Sequence, residues 1–318
     1  MVAVNTVTAG SDTSKDQLDV AVHGQAGAFT VANNAAGWKT LAAELSRAGV
    51  RRVGIEATGG YERGVTRYLQ ATGLTMVVLQ PLQVRAFAKL HLRRAKNDRL
   101  DAVLIAACTH MLDARNKITP DPRFDPLADH LTYIEPIEED IARFNARLEH
   151  IADRRLRHAI TADIVRLEKR RGAELKRLTA ALHEHTGLAK RFALVLRIPG
   201  IGARTALAVI VRMPELGQLS REQAAALAGL APFVHQSGKR QGETHIGGGR
   251  ARLRRSLYAA ALPAAFRWNP ALVALDRRLT GRGKSHKSAL VACARKLRGF
   301  ANTVIRRGTP WAHPPQAA

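Results

Sequence analysis

Four carboxylates and one serine are the groups in this 318-residue chain whose types and spacing could do chemistry. Glu56 closes the apolar run Val53-Gly54-Ile55 and precedes Ala57-Thr58-Gly59-Gly60-Tyr61, which reads as a strand ending in an acid and turning into a helix. Asp98 and Asp101, within Lys96-Asn97-Asp98-Arg99-Leu100-Asp101-Ala102, are three residues apart, so on a helix both project from one face. Asp12 lies in Gly10-Ser11-Asp12-Thr13-Ser14-Lys15-Asp16, where a strand is expected to turn into a hairpin. Acids from three elements meeting at one point would make an anionic pocket. Such a pocket can hold Mg²⁺ ions about 3.5–4 Å apart, which stabilise the attacking and leaving oxygens of phosphoryl transfer. The plainer alternative is pairing with neighbouring cations, as Arg99 between Asp98 and Asp101 allows. Glu56 resists it, because a glutamate ending an apolar strand before two glycines has little structural use.

Ser237 is the candidate nucleophile. It sits between Gln236 and Gly238 and is followed by Lys239 and Arg240. A glycine-permitted turn could present its hydroxyl freely, and the cations could offset charge on a phosphorane. Taken alone, a serine before glycine is more often a turn residue. Ser256, Ser285 and Ser288 fall in helical patterns, and His183 and His185 are spaced onto different helix faces, which argues against a metal pair.

The elements that must position these groups follow from the patterning. A meander of three strands is expected over 2–7, 17–22 and 28–32. Asn33-Asn34 offers an N-cap to a helix whose face carries Trp38, Leu41, Ala42 and Leu45. Strands over 52–56 and 75–79 alternate with helices from Tyr61 and from Pro81, which suits a first helical position. This β-β-β-α-β-α-β-α order, with acids on the first and fourth strands and a late helix, predicts an α/β ribonuclease-H-like domain over residues 1–120.

The Pro- and Asp-rich stretch Asp121 to Pro136 reads as a boundary. After it, Ile137, Ile141, Phe144, Leu148 and Ile151, then Ile164, Leu167, Arg171, Leu175, Leu178 and Leu182, trace a narrow apolar seam. A helical connector over 121–190 follows, either a hairpin packing on its own chain or a coiled coil between subunits. Residues 191–308 predict a mainly α domain. Its Ile198-Pro199-Gly200-Ile201-Gly202 turn is of helix-hairpin-helix type, and Gly200 and Gly202 would let backbone N–H groups approach phosphate. A tight interhelical turn without a ligand is the alternative. Pro232 to Gly242 and Gly247 to Gly249 read as loops, Arg250-Ala251-Arg252-Leu253-Arg254-Arg255 opens a helix, and another runs around Lys287 to Phe300. Residues 309–318 form a flexible, Pro-rich tail.

Charge locates the partner. The chain carries 50 basic and 26 acidic side chains, a net +24. Residues 1–120 hold 15 basic and 9 acidic, 121–189 hold 12 and 13, and 190–318 hold 23 and 4, so the excess sits in the last third. That favours a polyanion, gripped through its phosphates by Lys239, Arg240, Arg250, Arg252, Arg254 and Arg255. Aromatics are only 5%, too few for stacking platforms to dominate. No apolar run reaches a membrane span of about 18 residues and no secretory leader is evident, so a cytoplasmic protein is expected. Cys108 and Cys293 sit in apolar runs and are expected to fill core.

These stretches, taken together and in order, resemble the DEDD-type insertion-sequence transposases, a group described as bridge-RNA-guided recombinases, whose pattern pilin-gene DNA invertases share. The likeness rests on Asp12-Thr13-Ser14-Lys15-Asp16, Ile55 to Tyr61, Lys96 to Ala102, Ile198 to Gly202, Leu227-Ala228-Gly229-Leu230-Ala231-Pro232, Gln236-Ser237-Gly238-Lys239 and Ala294-Arg295-Lys296-Leu297. It implies a Holliday-junction-resolvase-like domain in which Asp12, Glu56, Asp98 and Asp101 bind Mg²⁺. It implies that Ser237 attacks DNA phosphorus and leaves a covalent phosphoserine. It further implies DNA as donor and target, a structured guide RNA, and dimers or tetramers in which acids of one subunit serve the serine of another. Two rival readings use the same residues: a junction-cleaving nuclease or invertase without a guide, and an inactive architectural DNA-binding protein. Ser11 and Thr13 depart from the family pattern, which usually has apolar residues on both sides of the first acid.

Overall fold

The computed structural model describes residues 6–90, 98–112, 121–237 and 240–312, with side chains for all of these but 98–100, 234–237 and 240–244. The chain divides into two units, Met1–Pro122 and Arg123–Ala318.

The first unit is built on a five-stranded mixed sheet of order β3-β2-β1-β4-β5. The central β1 (Thr8–Thr13) runs antiparallel to β2 (Gln17–Val22) and parallel to β4 (Arg52–Glu56). β3 (Phe29–Ala32) and β5 (Thr75–Leu79) form the edges. One face buries Ala9, Leu18, Val20, Val53 and Ile55 against Leu41 and Leu45 of α1 (Ala35–Arg47) and Val65 and Leu69 of α2 (Glu62–Ala71). On the opposite face, Val77 and Leu79 pack with Val84 of α3 (Pro81–Leu90) and with Leu104, Ile105 and Cys108 of α4 (Asp98–Met111). The expected N-cap is real: Asn34 Oδ1 accepts the Gly37 N–H at 3.0 Å.

One expectation shifts. Of the strand expected over 2–7, residues 6 and 7 are not in a strand and the rest lie outside the described residues. The strand paired at the sheet centre is Thr8–Thr13, so Asp12 lies inside it and the hairpin bend follows. The strand escaped notice because it has no large apolar residue. Its small side chains, Ser11 and Thr13 included, are buried all the same, since the central strand is covered on both faces.

The second unit begins with a helical hairpin, α5 (Phe124–Leu148) and α6 (Arg154–His183). Its seam buries Ile137, Ile141 and Ile164 with Phe144, Leu148, Ile160 and Leu167 around them, so the two helices pack on each other within the chain. The Pro-rich boundary is helical from Phe124 onward. Pro126 falls in the first turn, where N–H groups lack helical partners anyway, and buried Leu131, Ile134 and Ile137 hold α5 together across Pro136. Then come α7 (Thr186–Leu196), α8 (Ala203–Arg212), which buries Ala206 to Val211, and α9 (Arg221–Leu227), which opens with a Ser220/Gln223 capping box. The expected loop from Pro232 is instead an antiparallel hairpin, β6 (Pro232–Ser237) and β7 (Arg240–Ile246). The glycines and cations at its bend masked the alternation of the flanking strands. α10 (Ala251–Pro263) runs on into a π-helical turn, Ala264–Trp268, and α11 (Pro270–Thr280) and α12 (His286–Arg307) complete the unit. No described helix is long and apolar enough to cross a membrane.

Candidate functional site

In the first unit, the acids are set by how closely α4 lies on the sheet. A Cβ on Gly10 of β1 would fall 2.1 Å from Ala106 N, and one on Gly54 of β4 would fall 1.8 Å from Thr109 Oγ1. Only glycine lets the helix approach so near. Side chains alternate along a strand, so Asp12 and Glu56, two residues beyond these glycines, face the same side as α4. Asp101 sits one turn N-terminal to Ile105 of α4, on the helix stripe that packs on the sheet.

Electrostatics register the convergence. The Glu56 carboxyl is pushed above its ordinary range by burial first, then by the negative charges of Asp12 and Asp101, with Arg85 opposing. Among the described residues, no three His, Cys, Asp or Glu side chains form a ready-made metal cage. The Thr13 N–H donates to Asp12 Oδ1 at 2.9 Å, which orients that carboxylate. The turn after Glu56 is held by Glu62, whose Oε2 accepts the N–H groups of Thr58 at 3.1 Å and Gly60 at 2.8 Å and the Thr58 hydroxyl at 3.1 Å. Gly59 and Gly60 both have positive φ there, at 82° and 125°.

Sequence reasoning missed two residues of this neighbourhood. Glu62 gave only the signal of an acid opening a helix. Asp19 is the cross-strand partner of Asp12 and shares its face; it is buried, and its Oδ1 accepts the Thr30 hydroxyl at 2.5 Å. A lone acid in the middle of the apolar run Leu18 to Val22 was the available clue.

Asp98 is the first residue of α4, and its side chain lies outside the described residues. Ser237 is the last residue of β6, in register with Arg240 across the hairpin; the side chains of both, and Lys239 entirely, also lie outside them.

The four remaining arginines predicted to hold phosphate are placed, and each has a partner within the second unit. Arg250 makes a two-pronged pair with Glu215 at 2.6 and 2.8 Å. Arg252 pairs with Glu135 at 2.7 Å and Arg255 with Glu139 at 2.6 Å. Arg254 donates to the Gly248 and Gly229 carbonyls at 2.7 and 3.2 Å. Glu135 also accepts from Arg212 at 2.7 Å, and Glu138 holds Arg204 at 2.8 Å, so Glu135, Glu138 and Glu139 tie α5 to α8 and α10. Gly200, with φ at +95°, lies where a Cβ would come 2.3 Å from Ala264 Cβ, a packing reason for the glycine. Gly202 is the N-cap residue of α8, with open space about its Cα. Cys108 and Cys293 are buried, and burial pushes both thiols up, Cys293 to about 11.

Comparison with known proteins covers both units. The family described as Transposase, the DEDD group of IS110, matches residues 9–154 and so takes in all four acids. The family described as Transposase IS116/IS110/IS902 matches residues 192–277, from α7 through the β6–β7 hairpin to α11. The pilin gene-inverting protein of Moraxella bovis is 28% identical over 274 residues, covering 81% of this chain and 80% of its own length. That of Moraxella lacunata is 28% identical over 268 residues with the same coverage. An uncharacterised 43.6 kDa protein of insertion element IS110 from Streptomyces coelicolor is 32% identical over 114 residues, 35% of this chain and 28% of its own.

Proposed function

Since the chain belongs to the IS110 family of transposases, recombinases that act on DNA, we propose that it exchanges DNA strands through a protein-linked intermediate. The observation that carries this reading is the raised Glu56 carboxyl, pushed up at the end of the central strands by burial and by the charges of Asp12 and Asp101. Such a concentration of carboxylates costs stability unless something offsets it, and sites of this kind are functional more often than structural.

Three hard oxygen donors, one of them the raised Glu56 carboxyl, suit a divalent cation such as Mg²⁺, with Asp98 on the same helix as a fourth. When bound, that cation would supply charge neutralisation at the transferring phosphate. The protein's own part is to hold Asp12 and Glu56 on neighbouring strands and Asp101 on a helix locked to the sheet. Thr13 orients Asp12, and the Glu62-braced turn fixes the end of β4.

Ser237 is the proposed nucleophile. Its hydroxyl oxygen forms a P–O bond to DNA as one strand P–O bond breaks, and the released DNA hydroxyl takes a proton. The phosphodiester is conserved as phosphoserine, so the reverse attack by a DNA hydroxyl rejoins strands without ATP. The place of Ser237 at the end of β6, in register with Arg240 of β7, supports this. Guidance by a structured RNA and action as a dimer or tetramer complete the proposal. The bases in excess over acids in the last third suit both nucleic acids.

The test is a denaturing gel of the protein incubated with labelled DNA and Mg²⁺. A protein–DNA adduct that disappears in Ser237→Ala supports the reading. Cleaved DNA with no adduct would make water the nucleophile, and binding without cleavage would leave an architectural protein. Sequencing RNA that co-purifies with the chain tests the guide.

A further inference from the structure

The arginines flanking the β6–β7 hairpin have partners, yet the second unit keeps a large uncompensated positive charge elsewhere. A groove of 1390 Å³ runs between α11 and α12, floored near the base of the hairpin. Nine lysine or arginine side chains line it and, among the described residues, no aspartate or glutamate does, so its charge is not neutralised from within. Arg278, Lys287, Arg295 and Arg306 reach it from the two helices and Lys284 from the turn between them, and none of them makes an ion pair among the described residues.

Arg298 sets this groove apart from an ordinary basic surface. It lines the groove from α12 while only 1% exposed, and its Nε and Nη1 have no hydrogen-bond partner. Burial first, then the neighbouring Arg221 and Arg295, pulls its pKa down to about 10, with Glu222 opposing. Folding gains nothing from a buried guanidinium with idle donors beside two like charges. An anion held in the groove would satisfy those donors and offset the repulsion.

We infer that the α11–α12 groove seats the phosphate backbone of duplex DNA, with Arg298 as its buried anchor. The inference rests on the reading of the chain as a DNA recombinase and names where the second unit grips its substrate. Backbone phosphates fit because nine cations line the groove, while of its aromatic rings Phe300 is buried and packed against Trp311, with His245 at the hairpin end. Leu275, Leu279 and Val291 lie between the charges, which favours tracking a charged backbone over stacking bases.

The experiment titrates the full chain against a labelled DNA duplex of arbitrary sequence over a salt series. Lys287→Ala with Arg295→Ala is expected to weaken binding about tenfold or more and to lower the salt slope by about one for each phosphate no longer neutralised. Arg298→Met is expected to weaken binding at least about threefold while melting no lower than wild type, since it removes a buried charge rather than a bond. Lys169→Ala with Lys176→Ala, exposed on α6, is the charge-matched control and should change little. The inference is overturned if the groove variants bind like wild type, if the control loses as much, or if an RNA duplex alone loses affinity. It is overturned for Arg298 if Arg298→Met lowers the melting temperature and leaves DNA affinity intact. A wild-type protein that binds no DNA would sink the recombinase reading itself. Recombination that proceeds with DNA affinity unchanged in the groove variants would sink only the groove.

Discussion

Gly54 of β4 and Thr109 of α4 meet so closely that a single added carbon on the glycine would lie 1.8 Å from the threonine Oγ1. This close approach, repeated between Gly10 and Ala106, decides where Asp101 stands relative to Asp12 and Glu56. Gly54→Ala is therefore expected to destabilise the first unit by about 1–3 kcal/mol, the usual cost of overpacking. Strand cleavage should fall further than stability accounts for, because α4 must move off the sheet. Urea denaturation beside cleavage at a temperature where the variant is folded checks both.

Glu56→Gln should raise stability while abolishing activity. The folded protein holds the Glu56 carboxyl above its ordinary value, so the group favours folding when protonated and loses that contribution as pH rises through the raised value. Melting temperatures of wild type and Glu56→Gln should converge below about pH 4 and separate near pH 7, with the variant higher. A variant that melts lower at neutral pH would show that the carboxylate is not under repulsion.

Asp101→Asn should remove activity and the response to metal together. Mg²⁺ that binds the folded state raises its melting temperature by mass action. Wild type should show that rise and Asp101→Asn should show little of it, as read in thermal melts with and without the ion.

Ser237→Ala should leave duplex binding within about twofold of wild type, since a neutral hydroxyl contributes little to the electrostatic grip. The covalent adduct should vanish. An adduct persisting in that variant moves the nucleophile elsewhere.

Glu135 of α5 draws in Arg212 at 2.7 Å and Arg252 at 2.7 Å. Glu135→Gln strands the half-buried Arg212 without its counter-charge, and about 3 kcal/mol of stability should be lost. Denaturant titration reads the loss, and DNA affinity of the folded variant should hold.

Much of this molecule could be read before any coordinates. The strands Gln17–Val22, Arg52–Glu56 and Thr75–Leu79 and the Asn34 cap follow from local patterns of apolar spacing and capping chemistry. The helical seam through Ile137, Ile141 and Ile164 was equally plain, because a residue's helix face is set by its spacing alone. The β1 strand and the β6–β7 hairpin were not legible. β1 is made of small and polar residues, β6 and β7 have apolar residues only toward the ends away from the bend, and they become strands through the neighbours that cover or pair with them.

The acid types and positions were local information too, written in Glu56 at a strand end and in the three-residue step from Asp98 to Asp101. The convergence of Glu56 with Asp12 and Asp101 was not, since it depends on two glycines forty-four residues apart in the chain admitting α4 to the same face of the sheet. Partnership of the arginines was also a tertiary decision. Arg250, Arg252 and Arg255 look like the most exposed basic run in the sequence, yet Glu215, Glu135 and Glu139 arrive from other helices to pair with them. Charge is a property of composition, but which charges are left over is settled only when distant segments pack, because Coulomb attraction acts on distance in space and not on separation along the chain.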